Sequence, residues 1–204
     1  MLLSEKKKIL FIGAHTDDVE LSAGGTIAKL IGEGHDVRVY TFSYCDNMQL
    51  LLEFQRSMNV LGVKNYELNT YDNRTISYYR QNVLEDLIKY RESFYPDIVF
   101  THDPSDLHQD HSCIGQETLR AFKFFNIISY ISPWNSSADR PNFFVSLTKE
   151  QVEKKVEACK CYESQVSRFY MYEDVIHTNT SYWTNKQPFG LFTESFRILH
   201  LNYD

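Results

Sequence analysis

Two short polar segments contain the residue types used by hydrolytic metal centres. The segment "AHTDDVE" places His15 and Asp18 three residues apart, with Asp17 beside them. The segment "HDPSDLHQDHS" places His108 and His111 at the same spacing. A catalytic Zn²⁺ takes three protein ligands of this type and leaves one position for water. The pKa of that water falls to about 7, so it attacks a carbonyl group once a nearby base takes its proton. Spacing alone leaves open which histidine of the second segment would be the ligand.

Both segments follow apolar runs typical of buried strands, "KKILFIGAH" and "DIVFTHDP". Helical periodicity marks "SAGGTIAKLIGEGHD", where a glycine pair precedes the apolar stripe, and also "QLLLEFQRSMNVLGV", "YRQNVLEDLIKYRESFYP" and "CIGQETLRAFKFF". Strand composition marks "DVRVYTFS", "NYELNT" and "NIISYIS". This alternation predicts an α/β fold with a mostly parallel sheet. Ligands bind beyond the carboxyl ends of such strands, where both polar segments fall.

After residue 135 the pattern changes to a strand "FFVSL", a helix with Thr148 as its N-cap, and a final strand "ESFRILHL". The aromatic-rich segment 171–190 shows no clear periodicity and is a candidate lid. The sequence contains no repeat and no linker. A single domain over residues 1–204 is therefore expected.

Composition excludes several classes of protein. With 204 residues, 43% of them hydrophobic, the chain can bury one full core. A net charge of -6 argues against binding to nucleic acid or an anionic membrane surface. No apolar segment approaches the ~18 residues of a membrane span. The four cysteines match no zinc or redox spacing, and we expect reduced thiols in a cytoplasmic protein.

The two polar segments also carry a family resemblance. "AHTDDVELSAGGTIAKL" resembles the A-H-P-D-D-x-x-x-x-x-G-G signature of the PIG-L/LmbE-like N-deacetylases, and "HDPSDLHQDHS" resembles their D-x-H-x-D-H element. The similarity extends to "MNVLGV", "PWN", "KCYESQVSR" and "ESFRI", so it spans nearly the whole chain. In one departure, Thr16 stands where the family has proline. That position is not a ligand, and we expect a less rigid loop rather than a lost site.

The resemblance implies a Rossmann-like three-layer fold with helices on both faces of the sheet. It implies one Zn²⁺ per chain with three ligands: His15, Asp18 and His111. Asp17 would be the general base, and a cationic His108, oriented by Asp110, would stabilise the oxyanion or act as general acid. The implied reaction removes an N-acetyl group from an amino sugar that is free or linked to a nucleotide, lipid or saccharide. Whether Asp17 or His108 protonates the leaving amine stays open, and a homo-oligomer is compatible with the family.

Several other residues are candidates for secondary roles. In the family an arginine near "DNRTISYYR" contacts the substrate, which makes Arg74 the candidate, although a surface salt bridge fits this arginine equally well. Trp134 and Asn135 in "PWN" would line the sugar pocket, although a tryptophan in the core fits the sequence equally well. Glu20 is expected to cap the first helix, where an acid is favoured by the helix dipole, with a substrate contact as the alternative. Asp106 is expected to brace the second segment or a histidine.

Two alternatives to a sugar deacetylase follow from the same residues. One is a binding module that kept the fold without the chemistry; the spare carboxylate of Asp17 argues against it, because a structural metal site does not need that group. The other is the same amide hydrolysis on an acyl amine that is not a sugar. The sequence does not distinguish hydrolysis of such an acyl amine from deacetylation of an amino sugar.

Overall fold

The computed structural model describes residues 5–135, 141–182 and 192–202. These residues form seven strands and six α-helices. In chain order they are β1 Lys8–His15, α1 Asp18–Gly32, β2 Asp36–Ser43, α2 Met48–Leu61, β3 Asn65–Leu68, α3 Arg80–Phe94, β4 Ile98–Thr101, α4 Gln109–Ala121, β5 Asn126–Tyr130, β6 Phe143–Leu147, α5 Lys149–Lys160, α6 Glu173–Tyr182 and β7 Phe192–His200.

The seven strands form one sheet in the order β3-β2-β1-β4-β5-β7-β6. The first five strands pair in parallel, whereas β7 pairs antiparallel with both β5 and β6. The prediction of a mostly parallel sheet is confirmed. Because β1 and β4 are neighbours, the segments that follow their carboxyl ends meet at one edge of the sheet.

The core is divided into two apolar layers by the sheet. Along β1, Ile9 and Phe11 belong to one layer, while Leu10 and Ile12 belong to the other. Side chains alternate between the faces of a strand, so a strand buried on both sides is apolar throughout. Helices α1, α2 and α5 cover the first layer, and α3 and α4 cover the second. The three-layer arrangement with helices on both faces is thus confirmed.

Two helices begin earlier than the sequence predicted. Helix α1 starts at Asp18, so Gly24 and Gly25 lie inside it instead of opening it. A Cβ atom on Gly24 would lie 3.0 Å from the Lys155 side chain of α5, and one on Gly25 would meet Leu147. The glycine pair therefore allows α1 to pack closely against α5 and Leu147. The glycines also interrupt the apolar stripe of α1, which is why the sequence did not show that the helix starts at Asp18.

Helix α4 likewise starts at Gln109, four residues before the predicted beginning at Cys113. His108 is its N-cap, and the His108 side chain accepts a hydrogen bond from the amide of Asp110. Histidine is not a usual cap residue, so the helix start was missed. As a consequence His111 lies on a first helical turn, not in a loop.

The second half of the chain agrees with most of its predicted elements. Strand β6 has the predicted bounds, and Thr148 caps α5 in a capping box with Gln151. The predicted lid at 171–190 is only partly described. Its residues 173–182 form α6, which packs against β7 and α5, and residues 183–190 lie outside the described residues. Across the described ranges, no helix combines the length and hydrophobicity needed to cross a membrane.

Candidate metal centre

Three donor groups face one another where β1 and β4 end. Nδ1 of His15 lies 3.3 Å from Oδ2 of Asp18, and Nε2 of His111 lies 3.3 Å from Oδ1 of the same carboxylate. The two imidazole nitrogens are themselves 3.3 Å apart. His15 is the last residue of β1, while Asp18 and His111 are on the first turns of α1 and α4. Two helix starts and one strand end thus bring the three groups together.

The far nitrogen of each imidazole is bound to a carboxylate. Nε2 of His15 lies 3.1 Å from Oδ2 of Asp110, and Nδ1 of His111 lies 3.1 Å from Oδ2 of Asp106. In the neutral form of each ring, these contacts favour the proton on the far nitrogen and leave a lone pair on the facing nitrogen. Two lone pairs 3.3 Å apart, beside a carboxylate, are unfavourable unless a cation lies among them. Such carboxylate–histidine pairs are the usual outer support of metal ligands.

The separations of the donors fit zinc. Ligands at about 2.0–2.1 Å from a tetrahedral Zn²⁺ lie about 3.3–3.4 Å from each other. The nitrogen–nitrogen separation of 3.3 Å matches one edge of such a tetrahedron. The Asp18 carboxylate lies beside both nitrogens, with Oδ2 3.3 Å from His15 and Oδ1 3.3 Å from His111. Two imidazole nitrogens and one carboxylate are also a donor set that zinc accepts. The residues present therefore fit a zinc ion.

Charge is concentrated among these groups. Burial opposes ionisation of His15 and His111, yet Asp18, with Asp110 for His15 and Asp106 for His111, raises the pKa of His15 to about 10 and that of His111 to about 9. Burial alone would raise the pKa of Asp18, but the neighbouring imidazoles keep it well below its usual range. The carboxylates therefore attract positive charge to this point, and either protons on the imidazoles or a divalent ion can supply it.

His102 is a member of the cluster to which the sequence analysis assigned no role. Its Nε2 accepts the amide hydrogen of Ala14 at 3.0 Å and lies 3.1 Å from Oδ2 of Asp18. Its ring stacks on His111 at a centroid separation of 3.9 Å. Burial, then the charge of His111, lowers the pKa of His102, so the ring is neutral. The signal that could have found it is its position directly after β4.

The histidines form two overlapping groups of potential ligands. His102 joins Asp18 and His111 in one group, and His15 joins His108 and His111 in the other. His102 is 1% exposed and does not line the cavity described below, whereas His15 and His108 do. A substrate can therefore reach only the side of the cluster that contains His15. His102 instead packs on the buried side of Asp18.

Asp17 lies at the N-cap of α1, and its side chain makes no capping hydrogen bond. It lines the same cavity as His15 and His111. Loss of hydration, then the charge of Asp18, raises the pKa of Asp17 to about 6. The pKa values of the two adjacent aspartates are therefore shifted in opposite directions, because Asp18 is surrounded by imidazoles and Asp17 is not.

His108 and Asp110 differ from the expected pairing. The Asp110 carboxylate contacts His15 and accepts the amide hydrogen of Arg74, and it is the Asp110 backbone amide that donates to Nδ1 of His108. Burial and the neighbouring histidines lower the pKa of His108 to about 4. The expected cationic imidazole is therefore not favoured. Since Nδ1 accepts a hydrogen bond, the neutral ring has its proton on Nε2.

Glu20 does not cap α1 as predicted; it is completely buried. Its Oε1 contacts the hydroxyl groups of Ser57 at 2.6 Å and Tyr162 at 2.7 Å. Burial raises the pKa of Glu20 to about 8, so its carboxyl group is protonated at neutral pH and can donate to Tyr162. The Tyr162 hydroxyl in turn donates to the backbone carbonyl of Thr16. The loop that carries Asp17 is thus tied to the end of α5 at the position where the family has proline.

Replacing Tyr162 by phenylalanine should therefore affect both stability and activity. The change removes the donor to Thr16 and leaves buried polar groups unpaired, which costs about 1–3 kcal/mol of unfolding free energy. A shift of the loop would lower kcat by about tenfold or more, because small displacements of a catalytic group are costly. Chemical denaturation and amide-hydrolysis rates measure the two effects. Tyr172→Phe, at a residue that is 51% exposed, is the matched control. Equal unfolding free energy and equal kcat in the two variants would contradict the role of Tyr162 in holding the loop.

A cavity of about 280 Å³ opens over the cluster. The three residues that the sequence proposed for substrate binding, Arg74, Trp134 and Asn135, all line it. Trp134 stacks on Tyr170 with a centroid separation of 5.1 Å and an interplanar angle of 14°. The tryptophan is therefore part of a wall of the cavity instead of the core. The volume of the cavity is at the lower end of the range for ligand pockets and suits a single ring-sized group.

Fold and site together define an α/β protein with a histidine–aspartate cluster able to hold a metal ion at the carboxyl edge of its sheet. The family model described as "PIG-L: GlcNAc-PI de-N-acetylase" matches residues 10–122, and the chain belongs to this family. The matched residues include both polar segments and every donor group of the cluster. The resemblance seen in the sequence is confirmed.

Comparisons with individual proteins extend beyond the matched residues. The diacetylchitobiose deacetylase of Thermococcus kodakarensis is 28% identical over 96% of this chain and 84% of its own length. The crystal structure of the conserved protein TT1542 of Thermus thermophilus has a TM-score of 0.79 at 18% identity and covers 97% of both chains. The hydratase GalB of Pseudomonas putida has a TM-score of 0.75 at 16% identity, covering 97% of this chain and 98% of its own. The last case shows that this fold hosts more than one chemistry, so function has to be argued from the site.

Proposed function

We propose that this protein is a zinc-dependent deacetylase that hydrolyses the N-acetyl group of an amino sugar. The observation that carries the proposal is the set of three donor groups 3.3 Å apart, open to a cavity in which Asp17 is left unused. A similar relative that acts on an acetylated sugar, the diacetylchitobiose deacetylase, supports the choice of substrate class.

The metal ligands in this proposal are His15, Asp18 and His111. A zinc ion bound there would act as a Lewis acid that polarises the amide carbonyl, and it would lower the pKa of a nearby water to about 7. Asp106 and Asp110 keep the two ligand rings in the orientation that offers their lone pairs. His102 packs against Asp18 from the buried side.

Asp17 acts as general base. It takes a proton from the water as the water oxygen forms a bond to the carbonyl carbon of the amide. Its raised pKa suits this role, since a catalytic base works best with a pKa close to the operating pH. Asp18 is engaged with three imidazoles and cannot replace it.

His108 acts as a neutral hydrogen-bond donor. Its Nε2–H group donates to the carbonyl oxygen as negative charge develops there. Taking up a second proton would require Nδ1 to lose its hydrogen bond from the Asp110 amide. The proton for the leaving amine therefore comes from Asp17, which returns it to the nitrogen as the C–N bond breaks. Acetate and the free amino sugar are the products.

The substrate is held by residues around the mouth of the cavity. Trp134, stacked on Tyr170, offers an edge and a partly covered face to the apolar side of a sugar ring. The side chains of Asn135 and Arg74 offer donors to its hydroxyl groups. These contacts orient the acetamido group toward Asp17 and His108.

The proposal is tested by measuring amine release from a panel of N-acetylhexosamine derivatives, with and without a chelator. We expect release from at least one sugar, lost on chelation and restored by Zn²⁺. A parallel arm with N-acetylated alkyl and aryl amines tests the alternative substrate class. Hydrolysis confined to that arm would contradict the sugar assignment. Metal binding without hydrolysis in either arm would favour the non-catalytic binding module.

A further inference from the structure

The arginines of this chain fall into two sets. Eight arginines lie within the described residues, and six of them form ion pairs with carboxylates: Arg38, Arg56, Arg80, Arg91, Arg120 and Arg197. The side chains of the other two, Arg74 and Arg168, form no ion pair with a carboxylate among the described residues. Both of these line the cavity over the metal centre.

Arg74 is held in place through its backbone. Its φ of 69° lies in the left-handed region, which is unfavourable for a side chain as large as arginine. Its amide donates to Oδ2 of Asp110 at 2.5 Å, and its carbonyl accepts from Nε2 of Gln109 at 3.3 Å. Strained backbone that is fixed by the site itself is characteristic of functional positions. The guanidinium group is consequently presented at the cavity without an ion-pair partner among the described residues.

Arg168 is held through its side chain. Its Nε donates to Oε1 of Gln165 at 2.6 Å, and its guanidinium carbon lies 5.9 Å from the centroid of the Tyr170 ring. Tyr170 in turn stacks on Trp134. The arginine is thus part of the aromatic wall of the cavity. Its positive charge acts on Asp17, whose pKa it lowers slightly against the larger effect of burial, but the two side chains form no ion pair.

Outside the histidine–aspartate cluster, the charged side chains that line the cavity are opposite in sign to the net charge of the chain. The protein has 27 acidic and 21 basic residues, so carboxylates are available to form ion pairs with arginines, and six of the described arginines form them. Apart from the aspartates and histidines of the centre, the cavity is lined by only two charged side chains among the described residues, and both are arginines. Guanidinium groups without an ion pair around a ligand cavity are suited to bidentate binding of carboxylate or phosphate.

We propose that the substrate carries an anionic group, a phosphate or a carboxylate, which Arg168 binds together with Arg74. This inference rests on the proposed deacetylase function and narrows its substrate class to acidic N-acetyl amino sugars. The aromatic wall orients Arg168, and the anion then anchors the sugar while its acetamido group lies at the metal centre. Neutral amino sugars lack this anchor.

The test compares neutral with anionic substrates. N-acetylglucosamine and N,N′-diacetylchitobiose are the neutral arm; N-acetylglucosamine 1-phosphate and 6-phosphate form the phosphate arm, and N-acetylmuramic acid the carboxylate arm. We expect kcat/KM for at least one anion to exceed that of the neutral sugars by about tenfold or more, and to fall as salt is added. Arg168→Gln should reduce the anionic-to-neutral ratio of kcat/KM by about 10- to 100-fold. Arg56→Gln, at a paired arginine outside the cavity, should leave the ratio unchanged.

A binding measurement separates failure of this inference from failure of the proposed function. Calorimetry compares glucosamine with glucosamine 6-phosphate and muramic acid on the zinc-loaded protein. Tighter binding of an acidic sugar, weakened by Arg168→Gln, supports the anion site even if no hydrolysis is seen. Equal hydrolysis of neutral and acidic sugars would overturn the inference and leave the deacetylase standing. Equal binding of all these sugars, without hydrolysis, would overturn both.

Discussion

Replacing Asp17 by asparagine should greatly slow hydrolysis without loss of bound metal. The amide has the shape of the carboxylate but cannot accept a proton from water, and Asp17 is not one of the donor groups that face one another. General base catalysis typically contributes about 10²–10⁴ in rate, so kcat should fall by that factor. KM and zinc content should change little. Amine-release kinetics and metal analysis of the same preparation measure the two effects.

Asp18→Asn is the matched control, because it makes the same chemical change at the adjacent residue. Asp18 contacts His15, His102 and His111, so its loss should remove the metal along with the activity. The two neighbouring variants should therefore separate metal binding from proton transfer. Full activity in Asp17→Asn would remove Asp17 from the mechanism. Loss of zinc in that variant would instead make Asp17 a ligand.

Replacing His111 by alanine should eliminate zinc binding. His111 supplies one of the facing nitrogens, belongs to both groups of potential ligands, and is fixed by Asp106. Loss of an outer partner alone weakens metal affinity by about 10–100-fold, and loss of a ligand should exceed that. Zinc titration against a competing chelator measures the affinity, and circular dichroism checks that the fold is retained.

Three further histidine variants locate the ion. His15→Ala should lose zinc like His111→Ala, whereas His102→Ala should keep most of it, since His102 lies on the buried side of Asp18. The reverse order would place the metal in the group that contains His102. His177→Ala is the control for a surface site, because His177 lies near Glu153 and Glu173 in a separate group of potential ligands. Zinc lost only in that variant would contradict the metal centre described above.

The order and type of the elements were accessible from the sequence, but some of their starting points were not. Apolar composition and periodicity located the strands, and Thr148 marked the start of α5 because its cap is a local interaction. The starts of α1 and α4 were missed because Asp17 makes no side-chain cap and His108 is an unusual one. These two helix starts carry Asp18 and His111, so the missed boundaries lie within the candidate site.

The sequence by itself predicted most of the residues of the candidate metal centre, since the required residue types stand at short spacings directly after two strands. Only the tertiary structure decided how they are supported. The neutral His102 behind Asp18, the pairing of Asp110 with His15, and the tie from Glu20 through Tyr162 to Thr16 join residues up to 146 positions apart. The same is true of Arg168. The sequence does not distinguish it from other arginines, whereas the structure places it in the cavity wall with no ion pair to any described residue. Burial and long-range hydrogen bonds leave no periodic or local signal in a sequence, so these roles follow only from packing.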